Sequence, residues 1–144
     1  MNDLERFFDR IFTGRLPGLP TNVKDYAAKI LPWLIIVLAA LGLLSWLSVA
    51  GLFKAAALGA LGVKYAYPAF AAAVFNILIP IELVLALAGG GYMLQRRRLG
   101  WRLAFYSLLL GLLVNLVWFS LAGLVWSLIF AYLLFQVKPY FRQA

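Results

Sequence analysis

From Leu103 to Val137 the chain carries no Asp, Glu, Lys or Arg, and this stretch limits the possible folds more than any other feature. As a single α-helix it would rise about 50 Å, well beyond the roughly 30 Å hydrocarbon core of a bilayer. A run this long with no polar face belongs in lipid, where a helix satisfies all of its own backbone groups. It must also break. The residues Phe119-Ser-Leu-Ala-Gly123 supply the break and leave spans at about 103–119 and 121–137.

The remainder of the chain follows suit. Hydrophobic residues make up 65% of it and charged residues 12%, against about half and a quarter in a soluble domain. Two further spans are expected, at about 31–51 and 68–95. The expected fold is therefore all-α: a polytopic membrane protein whose residues 21–144 form a bundle of four transmembrane helices.

Residues 1–20 form a separate lead-in. Leu4, Phe7, Phe8, Ile11 and Phe12 recur at helical spacing opposite Asp3, Glu5, Arg6, Asp9 and Arg10, which predicts an amphipathic interfacial helix capped by Asn2 and ended by Gly14. Pro17 and Pro20 mark a linker, and Thr21 or Asn22 caps the next helix. Lys24, Asp25 and Lys29 hold its first turns at the membrane surface, with a bend expected at Pro32 and Trp33 at headgroup level. Residues 52–63 are too short to cross and read as an interfacial or re-entrant segment before a belt of Lys64, Tyr65, Tyr67 and Pro68. Arg96, Arg97, Arg98 and Arg102 surround an expected turn at Leu99-Gly100 and are candidates for anionic lipid headgroups.

Four spans divide the basic residues unevenly. Arg6, Arg10, Arg15, Lys24 and Lys29 share one side with Arg96, Arg97, Arg98, Arg102, Lys138 and Arg142, while Lys54 and Lys64 alone fall on the other. Both termini are expected in the cytoplasm. That placement also accounts for the net charge of +8 without a nucleic-acid partner. The heptapeptides Trp46-Leu-Ser-Val-Ala-Gly-Leu52 and Trp118-Phe-Ser-Leu-Ala-Gly-Leu124 are alike and lie half the chain apart, so an internal duplication would place equivalent turns at one surface.

Few side chains are left for chemistry. Without cysteine or histidine, thiol nucleophiles, the usual metal sites, haem ligation and imidazole proton transfer are excluded together. No catalytic constellation is present, and no enzyme activity, metal or cofactor is expected. Glu82 is the one acidic residue inside an expected span. A carboxylate at that depth must be protonated, paired, or turned to the bundle interior or to water. Pro80 removes the helical partner of the Asn76 carbonyl, which beside Glu82 makes a candidate ion site. The alternative is that Glu82 donates to Asn115 or Ser45 as interhelical glue. Ala86, Gly89 and Gly90 lie on the Glu82 face and are expected to pack helices closely; the Gly89-Gly-Gly91 run lacks the strand and the Lys-Ser/Thr of a phosphate loop.

Gly100-Trp-Arg-Leu-Ala-Phe-Tyr106 and Tyr132-Leu-Leu-Phe-Gln-Val-Lys138 resemble segments of a group of small bacterial multi-span proteins with no established activity. The resemblance covers the last third of the chain. It implies a prokaryotic inner-membrane setting and carries over no site. Two functions are expected from the residues: a non-enzymatic packing or accessory subunit of a homo-oligomer or larger membrane complex in the lipid bilayer, and, as the alternative, a small transporter or channel subunit with Glu82 as its proton or cation site.

Overall fold

A computed structural model of the chain describes residues 3–15, 17–57 and 74–141. The fold is all-α. Helix α1 spans Asp3–Phe12, α2 Thr21–Ala57, α3 Ile79–Leu94, α4 Arg98–Val117 and α5 Leu121–Val137. A π-helical turn, Val74–Leu78, leads into α3, and a 3-10 turn, Lys138–Phe141, follows α5. Among the described residues four stretches are long and apolar enough to cross a membrane: Thr21–Ser48, Asn76–Leu94, Arg98–Val117 and Leu121–Phe141. The Asn2 cap and the belt from Lys64 to Pro68 lie outside the described residues.

The expected lead-in and first span are one helix. Helix α2 runs through Pro32 without interruption and past Lys54, so residues 52–57 extend it rather than turning back, and 58–63 lie outside the described residues. Proline is tolerated there because only the Ala28 carbonyl loses its partner. At 37 residues α2 rises about 55 Å, so it exceeds the core of a bilayer at one or both ends. Thr21 is already helical, and the Lys24 amide donates to the Pro20 carbonyl at 3.0 Å.

The turn between α3 and α4 also differs from expectation. It consists of Gln95, Arg96 and Arg97, whereas Leu99 and Gly100 lie inside α4. Arg96 takes a positive φ of 55°, its amide bonds the Met93 carbonyl, and the Arg97 amide bonds the Tyr92 carbonyl. This is a Schellman ending with arginine in the position glycine usually holds. The same device ends α4: Phe119 has φ 50°, and the Phe119 and Ser120 amides bond the Leu116 and Asn115 carbonyls. Ser120 then caps α5 by accepting from the Gly123 amide at 3.2 Å. The break expected near Ser120 is present.

The two heptapeptides take different structures. Trp118 to Leu124 forms this turn and cap, while its counterpart from Trp46 stays helical inside α2. There Ser48 donates to the Leu44 carbonyl, the bond of a serine within a helix. No equivalent turns arise.

Helix α3 packs along both α2 and α4, α4 packs on α5, and α5 meets α2 over a shorter stretch. Gly89 and Gly100 set the closest of these approaches. A Cβ on Gly89 would stand 2.7 Å from the Ala104 amide nitrogen, and one on Gly100 would overlap the Tyr92–Met93 peptide. Gly90 faces the other way: its missing Cβ makes room for Ile36 and the Pro32 carbonyl of α2. Both glycines thus pack helices within the chain, as expected of this face.

The core gathers at the end of the bundle that carries Arg102 and Lys138. Trp101 and Phe105 of α4 stack at 5.6 Å, and Phe135 of α5 meets both edge-on. Trp101 donates its indole N–H to the Leu134 carbonyl at 2.8 Å. Helix α1 docks here, laying Phe12 flat on Phe135 and Phe8 edge-on to Phe105. Glu5, expected on the solvent face, is instead buried at 2% exposure with its carboxylate 3.5 Å from Arg102. Asp9 pairs with Lys138 at 3.1 Å. Leu4 and Phe7 remain outward, so the apolar face of α1 is divided between the bundle and its surroundings.

Candidate intramembrane site

Glu82 stands in the first turn of α3, two residues after Pro80. The π-helical turn runs straight into α3 with Leu78 in helical conformation, so Pro80 sits at the join, where the change in hydrogen-bond pattern accommodates a residue without an amide. Twelve residues separate Glu82 from Leu94, which places it about 18 Å along the helix from the basic turn, close to the middle of a bilayer core of roughly 30 Å.

The side chain points inward. A Cβ added to Gly111 of α4 would lie 2.6 Å from Glu82 Oε1, so this glycine leaves the space that the carboxyl occupies. Ser107, one turn before Gly111, donates to the Glu82 backbone carbonyl at 2.9 Å. Asn115, one turn after it, donates to the Gly111 carbonyl at 2.9 Å and to Ser127 of α5 at 3.2 Å. Gly123 allows this, since a Cβ there would collide with the Asn115 amide. A polar line therefore runs from α3 through α4 to α5, with Glu82 at its beginning.

Neither of the partners expected for the carboxyl is bound to it. Asn115 spends its amide on Gly111 and Ser127, and Ser45 is exposed on α2. Among the described residues no side-chain hydrogen bond reaches the Glu82 carboxyl. Asn76 is exposed in the π-helical turn and engages a group of its own, and it is not among the residues lining the space beside Glu82.

That space is a cavity of about 350 Å³, open toward the outside of the bundle, to which α2, α3, α4 and α5 all contribute. Its polar lining is Glu82, Ser107 and Ser127; Gly111 and Ala86 widen it. Trp126 and Phe130, which meet edge-on at 5.6 Å, supply aromatic wall from α5. The other lining residues are aliphatic. Ser107, Asn115 and Ser127 are the polar groups the sequence places at depth in its last two spans, whereas Gly111 and the cavity itself carried no recognisable signal, since one glycine in an apolar helix looks like any other.

The basic residues divide. Arg96, Arg97 and Arg98 are exposed beside the α3–α4 turn, with Arg97 over the Tyr92 ring at 5.9 Å. Arg102 directs its Nε toward the buried Glu5 carboxylate at 3.5 Å while its side chain stays partly exposed. No His, Cys, Asp or Glu cluster suited to a metal occurs among the described residues. In comparisons with known proteins the chain matches no family model, no curated protein and no solved structure.

Proposed function

We propose that this non-enzymatic chain is a small transporter or channel subunit of the inner membrane, with Glu82 as its intramembrane proton or cation site. One observation carries the reading: the carboxyl faces a cavity shared by four apolar helices instead of a donor on a neighbouring helix. A carboxyl used only as glue would be expected to hold a partner, since an unsatisfied buried group costs about 1–3 kcal/mol or more. The inner-membrane setting rests on the resemblance of the C-terminal third.

The full chain in proteoliposomes should pass protons or a monovalent cation, and Glu82→Gln, which keeps shape, should abolish the flux while the helical content survives. Absence of wild-type flux across a range of pH and ions would remove the transport reading. The second reading then stands: an accessory subunit in a homo-oligomer or larger complex. It draws on the outer face of α2, where Trp33, Val37, Leu41 and Leu44 are exposed.

The basic residues around α1, the α3–α4 turn and Lys138 support a reading with both termini in the cytoplasm. Reporter fusions after Gln95 and Ala144 should read as cytoplasmic and one after Phe119 as external. An external C-terminus would overturn the orientation. Leu4 and Phe7 of α1 would then lie at the cytoplasmic surface, as an interfacial helix requires.

A further inference from the structure

The cavity beside Glu82 is larger than a proton needs and too poor in oxygen for a bare metal ion. Its volume of about 350 Å³ falls within the roughly 300–1,000 Å³ of small-molecule pockets. Hard cations such as calcium and magnesium take about six or more oxygen ligands, whereas the side chains lining this cavity offer one carboxyl and two hydroxyls. One of those hydroxyls is already donated to the Glu82 carbonyl, and the other accepts from Asn115.

Charge and wall chemistry narrow the occupant further. Glu82 is the one ionisable residue lining the cavity among the described residues, so an anion would meet a like charge, a neutral molecule would leave the carboxyl to hold a proton, and only a cation uses its ionised form. A single positive charge satisfies it. The aliphatic lining and the rings of Trp126 and Phe130 favour apolar substituents around that charge, because burying them removes apolar surface from water and aromatic faces attract a weakly hydrated cation.

We infer that the cavity is a binding site for an apolar organic monocation, a lipophilic ammonium whose charge pairs with Glu82 while its hydrocarbon body fills the space between the four helices. This rests on the reading of Glu82 as the intramembrane site and names the class of solute it would take.

Tetrapropylammonium is a suitable probe, titrated calorimetrically into the full chain in mild detergent. One-site saturable binding is expected, weakened on the order of tenfold or more in Glu82→Gln, the loss of one buried charge pair. Glu82→Asp, which retains the charge, should keep part of it and guards against a folding defect in the first variant. Ala86→Leu narrows the cavity without touching the carboxyl and should weaken tetrapropylammonium more than tetramethylammonium. Equal binding to wild type and a folded Glu82→Gln chain would overturn the inference, as would equal binding of a neutral molecule of the same shape. Proton or metal-ion flux in proteoliposomes without saturable ammonium binding would overturn it while leaving the transport reading in place. Glu82-dependent binding without any flux would support the site and remove transport.

Discussion

Gly100→Leu should prevent the α3–α4 pair from closing and leave little folded protein. The added Cβ meets the Tyr92–Met93 peptide and stands 2.8 Å from the Gly89 carbonyl oxygen. These are backbone atoms inside a helix, so no rotamer change relieves them. Overpacking commonly costs about 1–3 kcal/mol where side chains can shift; this site should lie at or above the upper end. The three consecutive glycines of α3 make an internal scale. Gly89→Ala meets the backbone of Ala104, Gly90→Ala meets chiefly the Ile36 side chain, and Gly91→Ala meets nothing within 4 Å. Thermal unfolding in detergent should rank them in that order. Gly91→Ala should be neutral or stabilising by about 0.5–1 kcal/mol, since glycine is a poor helix residue. An equal loss at all three positions would contradict the packing described.

Phe135→Ala should produce the other large effect. The ring is almost fully buried and meets Phe8, Phe12, Trp101 and Phe105; truncating a buried phenylalanine costs about 3–5 kcal/mol. The consequence extends beyond the bundle, because Phe135 is the surface on which α1 rests. In limited trypsin digestion, cleavage after Arg6, Arg10 and Arg15 should become faster in this variant. Phe8→Ala should release α1 in the same assay with a smaller loss of overall stability, since Phe8 is only partly buried. Unchanged N-terminal cleavage in Phe135→Ala would show that the contacts of α1 outside Phe135 suffice to hold it.

Periodicity and charge placement are enough to read the four apolar helices and the break near Ser120, and they single out Glu82 without deciding which way it points. Bilayer thickness makes those features almost arithmetic: an uncharged run is either short enough to cross or must turn. What could not be read has a common cause. Whether Leu99-Gly100 is a turn or a helical contact depends on which backbone lies opposite, and glycine serves both. Two like heptapeptides form helix in one place and turn and cap in the other, so these seven residues alone do not decide between them. Glu5 sits on what looks like the polar face of α1, and only the proximity of Arg102 and the aromatic cluster decides that it is buried. The cavity is a property of four helices at once and leaves no trace in any of them alone.

The docking of α1 has a consequence for biogenesis. Asp9 and its partner Lys138 are 129 residues apart in sequence, and the Tyr132 hydroxyl that binds the Pro17 carbonyl is 115 residues from it. At synthesis rates of 5–20 residues per second, α1 leaves the ribosome on the order of ten seconds before the residues it rests on. During that interval Phe8 and Phe12 have no protein surface to cover them, and the lipid interface or an insertion factor must shelter them. Helix α1 thus reaches its place only after α5 has been made, and its docking marks a chain in which α5 has been inserted.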